Sequence, residues 1–396
     1  MKLLLVAGAR PNYMKIAPIY WASRETTADV DVEIVHTGQH YDPALSDDFF
    51  RDLDLPAPSA NLGVGSGSHA EQTAKVMIGF EALLAERQPD VVVVVGDVNS
   101  TAACSLVTAK AYGCAPDGLG RPLLAHVEAG LRSRDRTMPE EVNRIVTDAL
   151  SDVLFTTSAD ADANLRAEGI PDERIDRVGN TMIDSVLRSR AAAESATLPG
   201  AMEATHTFGL CTLHRPSNVD DRAVLARILD ALREIAGTTP LFLPLHPRTR
   251  ERLERFDLAT RLAPLDPTEA PTAGLYAVPP LGYLQMLRAQ GRAAFVLTDS
   301  GGIQEETTAL GVPCVTIREN TERPITITEG TNVLAGTTHD GIVRALDEAR
   351  EKAAAGRCPD LWDGRAGRRI LDAIVRRRAG GGNPARMSAR AGQEAG

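Results

Sequence analysis

The sequence lacks the marks of several large classes of protein. Aromatic residues make up only 4% of it, and its formal net charge is −10 at pH 7. A nucleic-acid surface needs clustered positive charge, so this balance argues against a nucleic-acid partner. The five cysteines are scattered and show no C-x-x-C spacing, which is typical of reduced thiols and argues against disulfides and zinc ligands. We therefore expect no metal site.

Long apolar runs are missing as well. No stretch approaches the apolar length of a membrane span, so we expect no membrane partner. The opening residues, MKLLLVAGARPN, contain an apolar run that is shorter than the core of a signal peptide and ends at Arg10. We interpret this run as the first β-strand and predict a cytoplasmic protein.

What the sequence does contain throughout is an alternation of short apolar runs with helical patterns. The predicted strands are Leu3–Ala7, Val32–Thr37, Val91–Gly96, Leu123–Val127, Val153–Thr157, Phe208–Leu213, Leu241–Leu245, Leu275–Val278, Phe295–Thr298 and Cys314–Ile317. Strands that alternate with helices indicate parallel sheets, so we predict an α/β protein with two Rossmann-like, doubly wound domains. Ligands of such sheets bind at the carboxyl ends of strands, and the cleft between the domains is the expected site.

The same patterns predict where the domains begin and end. The first domain is expected to comprise residues 1–178 and a helix at 363–378 that returns to it, and the second domain residues 179–362. The segment from Ala191 to His206 is rich in Ala, Ser, Thr and Pro and is expected to be a less ordered bridge. Residues 379–396 carry few large apolar side chains, which predicts a disordered tail.

One motif, DSGGIQEE at residues 299–306, lies between a predicted strand and a predicted helix. Ser300 is placed to cap the helix, and Gly301 and Gly302 let the backbone come close to a ligand. Such a helix start suits phosphate oxygens. The two glutamates that end the motif would repel a phosphate, so we expect them to face other groups, such as sugar hydroxyls. The motif therefore indicates a nucleotide sugar, and the alternative is an ordinary Ser-capped helix after a glycine turn.

Other polar residues lie at the ends of predicted strands or in the helical segments near them: Arg10, Lys15, Asp97, His126, Glu128, Glu140, Arg144, His214 and His246. Most of them also have a purely structural interpretation. Asp97 would make an ordinary helix cap, and Glu140 would complete a capping box with Thr137. Histidines at two successive strand ends, however, are more typical of a functional site than of a core.

Ten short polar motifs occur here in the order and approximate spacing of one family: GARPNYMK, TGQHYD, GDVNST, HVEAGLRS, PEEVNR, GNTMID, LHRPSN, HPRT, DSGGIQEE and TERP. Over roughly residues 1–378 the chain resembles the non-hydrolysing UDP-N-acetylglucosamine 2-epimerases. The resemblance implies a glycosyltransferase-B-like fold, in which two Rossmann-like halves face a cleft and a C-terminal helix crosses back to the first half. We expect a homodimer that binds a UDP-sugar and serves cell-surface polysaccharide biosynthesis.

The resemblance also implies roles for individual residues. The catalytic residues, expected to transfer protons at the sugar, are Asp97, Glu128, Glu140 and His214. The substrate-binding residues are expected to be Arg10, Lys15, Arg144, His246, Met286, Ser300, Gly301, Gly302, Glu306 and Arg323. Two departures from the family stand out: Ser217 replaces an acidic residue of many members, and Met286 replaces an aromatic that some bacterial members have beside uracil. A second, activating substrate site in many bacterial members would involve Gln39 and His40, but Gly65–Thr73 does not clearly supply its arginine.

The chemistry implied by this resemblance has one central difficulty, because the proton on carbon 2 of the sugar is not acidic. Transient oxidation by NAD would activate it, but no G-x-G-x-x-G follows any predicted strand, so we expect no cofactor. Elimination of UDP would give a glycal, and readdition of UDP with a proton delivered to the opposite face would invert carbon 2. The alternatives are a hydrolysing 2-epimerase that releases ManNAc and UDP, a 2-epimerase of a modified UDP-sugar, a glycosyltransferase and a nucleotide-sugar sensor.

Overall fold

The computed structural model of the protein describes residues 1–38, 50–266 and 268–379, apart from the side chain of Arg10. The strands are β1 (Lys2–Ala7), β2 (Asp31–His36), β3 (Ala60–Asn61), β4 (Val91–Val95), β5 (Leu123–Ala129), β6 (Val153–Thr156), β7 (Ile175–Arg177), β8 (Gly209–Thr212), β9 (Leu241–Pro244), β10 (Leu275–Val278), β11 (Phe295–Thr298), β12 (Cys314–Thr316) and β13 (Asn332–Leu334). The α-helices are Arg10–Glu25, His69–Arg87, Asn99–Lys110, Pro139–Leu150, Ala159–Ala167, Thr181–Glu194, Gly200–Ala204, Pro216–Val219, Arg222–Ala236, Pro247–Arg255, Tyr283–Arg292, Gly301–Leu310, Ile325–Thr328, His339–Ala354 and Ala366–Ala379.

The strands form two parallel sheets, with the orders β3-β2-β1-β4-β5-β6-β7 and β10-β9-β8-β11-β12-β13. This confirms the prediction of two doubly wound α/β sheets. The strand order reverses between β1 and β4 in the first sheet and between β8 and β11 in the second. Ligands of open parallel sheets bind at the carboxyl ends of strands beside such a reversal. The described helices include none that is long and apolar enough to cross a membrane.

Three strands were not predicted, and all three lie at sheet edges. β3 is two residues long, and β7 and β13 are three residues each. A central strand such as the pentavaline β4 is fully buried, because neighbours cover its edges and both of its faces, and it therefore appears as an apolar run. An edge strand needs no such run, so its sequence does not distinguish it from a loop.

The chain divides into two compact units, unit 1 (Met1–Ser185 and the segment from Asp360 onward) and unit 2 (Val186–Pro359). In unit 1 the helix Ala366–Ala379 packs on the helix Arg10–Glu25, where a Cβ atom at Gly367 would lie 2.4 Å from the Pro18 backbone. Asp184 accepts hydrogen bonds from the N–H groups of Ala366 (3.1 Å) and Gly367 (2.8 Å) and so caps this returning helix.

The bridge expected from Ala191 to His206 is wrong in part. The helix Thr181–Glu194 continues into it, and the helix Gly200–Ala204 lies within it. Ala201 and Met202 are buried in the core of unit 2, so this segment contributes to packing despite its small residues. Ala379 ends a helix, and the rest of the predicted disordered tail, residues 380–396, lies outside the described residues.

Candidate active site

Asp97 lies just beyond the carboxyl end of β4, and a buried arginine holds its carboxylate. Arg144 Nη1 donates to Asp97 Oδ2 at 2.5 Å, and its Nη2 donates to Glu141 Oε2 at 2.7 Å. The Arg144 side chain is 2% exposed, whereas that of Asp97 is 25% exposed. Asp97 is therefore fixed from inside the protein and still reaches solvent.

Glu141 is a residue that the sequence did not single out. Besides Arg144, it accepts hydrogen bonds from the N–H groups of Ser133 (3.0 Å) and Arg134 (2.8 Å). Burial alone would raise the pKa of Glu141, but these donors and the Arg144 guanidinium together lower it. Glu140, which lies four residues before Arg144 and was expected to be a catalytic residue, is exposed. The proposed capping box is also wrong, because the N-cap is Met138 and no side chain caps this helix.

Glu128 occupies a strained position at the end of β5. Its φ of 70° lies in the left-handed region, which non-glycine residues rarely adopt, and the register of β5 against β6 shifts between Val127 and Ala129. A β-bulge of this kind re-aims a side chain and is common beside functional sites. The Glu128 carboxylate forms a buried ion pair with Lys15, which the sequence did not predict. The Lys15 ammonium also packs against Gly96, so Glu128 and the Asp97 loop share one cluster.

Two other predicted groups of unit 1 are only partly described. Arg10 begins the helix that follows β1, but its side chain lies outside the described residues. Gln39 and His40, from the proposed activating site, also lie outside them.

In unit 2, His214 and Asp299 follow the paired strands β8 and β11. His214 Nδ1 lies 3.0 Å from Asp299 Oδ1, and Asp299 Oδ2 accepts from the N–H groups of His214 and Arg215, both at 2.9 Å. Burial alone would raise the pKa of Asp299, but the His214 ring and the two backbone donors hold it below its ordinary value. Because Nδ1 donates to a carboxylate, Nε2 of His214 is the nitrogen left for a ligand.

Asp299 was not among the predicted site residues, although it opens the DSGGIQEE motif. Its position at a strand's carboxyl end was the available signal, and the same signal drew attention to Asp97. His246 completes this corner of the site, with its ring centroid 5.5 Å from that of His214. The Arg248 N–H donates to its Nδ1 at 3.2 Å, so His246 also caps the helix Pro247–Arg255.

The helix Gly301–Leu310 begins at Ser300, as predicted, but the Ser300 hydroxyl makes no capping bond. Glycine is required next, because a Cβ atom at Gly301 would lie 2.5 Å from Arg323 Nη1. Arg323 itself is buried between two carboxylates, 3.1 Å from Glu305 and 2.5 Å from Glu322. Burial alone would raise the pKa of Glu322, but Arg323 and two other arginines lower it. The guanidinium expected to bind a diphosphate thus lies in a compensated ionic cluster beneath the helix start.

Glu306 and Met286 lie on two neighbouring helices of unit 2. Gln290 Nε2 donates to Glu306 Oε2 at 2.5 Å, and burial raises the pKa of Glu306. Met286 precedes Gln290 by four residues on the helix Tyr283–Arg292, so the two share a helix face. Met286 is half-buried and packs against the apolar core of this unit. Within residues 1–38, 50–266 and 268–379, no cluster of three His, Cys, Asp or Glu side chains could hold a metal ion.

These sites define a class of protein in which parallel sheets present acid–base groups in one unit and a glycine-rich helix start, suited to anions, in the other. The model of the UDP-N-acetylglucosamine 2-epimerase family matches residues 23–375. A UDP-N-acetylglucosamine 2-epimerase from Methanocaldococcus jannaschii is 39% identical over 377 residues, which are 94% of this chain and 98% of that protein. The chain therefore belongs to the UDP-N-acetylglucosamine 2-epimerase family, as the motifs indicated.

Two further comparisons bear on the substrate. The crystal structure of the M. jannaschii enzyme in complex with UDP-GlcNAc and UDP matches with a TM-score of 0.81 and 38% identity, covering 95% of this chain and 99% of that one. A UDP-2,3-diacetamido-2,3-dideoxy-D-glucuronate 2-epimerase from Pseudomonas aeruginosa is 38% identical over 381 residues, covering 95% of this chain and all of that protein (100%).

Proposed function

We propose that this protein interconverts UDP-N-acetylglucosamine and UDP-N-acetylmannosamine without hydrolysis, by elimination and readdition of UDP. The observation that carries the proposal is a pair of carboxylates at the carboxyl ends of the adjacent strands β4 and β5. Asp97 lies just beyond β4, and Glu128 lies at the end of β5. Each is held by a buried cation, Arg144 or Lys15. Removal of the carbon-2 proton on one face of the sugar and its return on the other requires two positioned acid–base groups.

Unit 2 supplies what the leaving group requires. As the bond from carbon 1 to UDP breaks, negative charge grows on the diphosphate, and the free N–H groups at the start of the helix Gly301–Leu310 suit it. His214, held by Asp299, presents Nε2 beside that helix start. Glu306 is proposed to bind the ribose hydroxyls, and Met286 to pack near the uracil. The homodimer, the cytoplasmic location and the role in cell-surface polysaccharide biosynthesis stay predictions.

A single experiment tests the reaction and the route. Turnover of UDP-GlcNAc in heavy water is expected to give UDP-ManNAc that carries deuterium at carbon 2, with no nicotinamide added. An oxygen label in the bond from carbon 1 to the diphosphate is expected to scramble into the diphosphate. Product that retains the original proton contradicts elimination, and release of free ManNAc with UDP shows a hydrolysing enzyme instead.

A second substrate is favoured by the P. aeruginosa relative, which acts on a 2,3-diacetamido uronate linked to UDP. The carbon-2 chemistry is the same for both sugars, so Asp97 and Glu128 do not discriminate between them. Parallel NMR assays with UDP-GlcNAc and UDP-2,3-diacetamido-2,3-dideoxy-D-glucuronate decide between the two. The true substrate is expected to show the higher kcat/KM, because specificity is a ratio of those values.

A further inference from the structure

His126 is a fully buried histidine of β5 whose two ring nitrogens both have partners. Its relative exposure is 0%. Nδ1 lies 2.6 Å from Asp148 Oδ1, and Nε2 lies 2.8 Å from the carbonyl oxygen of Gly96. Gly96 directly precedes Asp97, and His126 itself lies two residues before Glu128. The ring therefore lies between the strand ends that bear both candidate catalytic carboxylates.

Both partners of the His126 ring are acceptors. A backbone carbonyl cannot donate, and Asp148 already accepts from the Gly130 N–H (3.1 Å) and from Arg132 Nη2 (2.7 Å). Donation by a guanidinium and by a backbone N–H to the same Oδ2 atom is the environment of an ionised carboxylate. A neutral imidazole has only one N–H group. Its other nitrogen would direct a lone pair at the oxygen of either Asp148 or Gly96, and two acceptors cannot form a hydrogen bond. Only the imidazolium satisfies both.

The charges around the ring balance this cation. Asp148 faces it from the helix Pro139–Leu150, and its side chain is 1% exposed. Arg132, from the loop after β5, adds a second positive charge. Its Nη2 lies 2.7 Å from Asp148 Oδ2 and also 2.7 Å from Glu168 Oε2. Two cations and two anions thus form one network, so a protonated ring is not an isolated buried charge.

We propose that His126 is a positioning residue that donates hydrogen bonds from both ring nitrogens, as an imidazolium, and so fixes Asp97 and Glu128 relative to one another. One ring nitrogen holds the carbonyl of the residue before Asp97. The other holds Asp148, whose second oxygen anchors the Gly130 N–H in the turn after Glu128. The inference rests on the proposed function, since it assumes that these two carboxylates carry the reaction.

Neutron diffraction from a deuterated crystal of the whole protein tests the protonation state without any substitution. Deuterium is expected on both ring nitrogens of His126. A ring with a single deuteron overturns the proposal, whatever the protein catalyses. Replacement of the carboxylate by an amide in Asp148→Asn is expected to give a ring that carries one deuteron.

Kinetics of His126→Gln test the positioning role. Glutamine cannot hold both strand ends as the ring does, and misplacement of the carboxylates is expected to lower kcat on the order of 10-fold to 100-fold. KM and the affinity for UDP are expected to change little, because UDP is assigned to unit 2. An unchanged kcat in a folded His126→Gln protein overturns the proposal, whereas a wild-type protein that epimerises no UDP-sugar overturns the proposed function instead.

The matched control is His36→Gln, at the end of β2. His36 is also buried, at 1% exposure, and its ring packs against that of Tyr13, with the two centroids 5.7 Å apart. This variant is expected to lose as much thermal stability as His126→Gln while keeping most of its kcat. Equal losses of kcat in the two variants show a purely structural role for His126 and contradict the proposal.

Discussion

Both units carry their candidate functional groups at the carboxyl ends of parallel strands, but the charges of these groups differ between the units. In unit 1 the groups at the strand ends are carboxylates held by buried cations, as Arg144 holds Asp97. In unit 2 the relation is reversed, because the buried carboxylate of Asp299 holds His214 and two glutamates hold Arg323. The proposed function assigns proton transfer to the carboxylates of unit 1 and binding of an anionic leaving group to unit 2.

The comparison also shows a shared principle of construction. In one pair of each unit the holding group is buried and the working group is more exposed: Arg144 is 2% and Asp97 25% exposed, and Asp299 is 0% and His214 38% exposed. In the Lys15–Glu128 pair both side chains are buried. A side chain that is held in one rotamer by a buried partner keeps its geometry and stays accessible to a ligand. Four groups of substitutions test how far the two units differ.

The largest effect is expected from the carboxylates of unit 1. Asp97→Asn and Glu128→Gln keep the shape but remove the ionisable group, and each is expected to lose roughly 100-fold to 10,000-fold in kcat. Affinity for UDP, measured by calorimetry, is expected to be unchanged. Glu81→Gln, the same change at an exposed glutamate of the helix His69–Arg87, is the control and is expected to be fully active. A loss of UDP affinity in Asp97→Asn or Glu128→Gln would contradict the assignment of UDP binding to unit 2 alone.

A smaller effect, on stability, is expected from Arg323→Ala in unit 2. The change leaves Glu305 and Glu322 buried without this guanidinium, which is expected to cost about 3–5 kcal/mol of unfolding free energy. Denaturant unfolding measures the loss. Arg144→Ala is the comparison in unit 1 and is expected to cost less, because Asp97 can be hydrated and Glu141 keeps the N–H groups of Ser133 and Arg134. Calorimetry with UDP shows in the same proteins whether Arg323 also contacts the diphosphate.

Asp299→Asn tests whether His214 depends on its buried partner. An asparagine Nδ2–H would donate to Nδ1 and move the ring proton to Nε2, which is the wrong tautomer for accepting a proton there. We expect kcat to fall roughly 10-fold to 100-fold with little change in folding. Steady-state kinetics alongside thermal melting check this, and a normal kcat would show that Nε2 of His214 is not used in the reaction.

The smallest effect is expected at Asp184, which caps the returning helix of unit 1. Asp184→Ala removes the cap of the helix Ala366–Ala379 and is expected to cost about 0.5–2 kcal/mol. Burial raises the pKa of Asp184 from 3.8 to about 6, so the folded state binds this proton more tightly than the unfolded state. Its contribution to stability therefore decreases as the pH rises between these values.

Asp184→Asn is expected to remove that pH dependence while keeping part of the cap. Thermal melting of both Asp184 variants and the wild type between pH 4 and pH 7 gives the comparison. Identical pH profiles for the wild type and Asp184→Asn would show that this carboxyl does not titrate as inferred.

Most of the fold and the location of the site residues followed from local patterns. An apolar run followed by a polar residue predicts a buried strand and a ligand-facing end, and Asp97, His214 and Ser300 all lie where that pattern placed them. What the patterns could not predict were contacts between distant parts of the chain. Lys15 was expected to bind the substrate, and in the structure it pairs with Glu128. Local sequence could not predict this pair, because it depends on the sheet order that places β1 and β5 on opposite sides of β4.

Glu140 and its neighbour Glu141 show that local sequence also fails to predict some contacts within a single helix. Glu140 and Glu141 lie four and three residues before Arg144, and both spacings allow a contact on a helix. The loop N–H groups of Ser133 and Arg134 select Glu141, and no feature of the local sequence shows where that loop will lie.

The chain returns to unit 1 at Asp360, and this determines the order in which the two units can be completed during translation. All of unit 2 is synthesised before the helix Ala366–Ala379, so the sequence of unit 2 is complete while unit 1 still lacks the helix that covers Pro18. The first unit to be started is therefore expected to be the last to be completed. A chain released before Ala366 would then carry the whole of unit 2 and a unit 1 whose surface around Pro18 is uncovered.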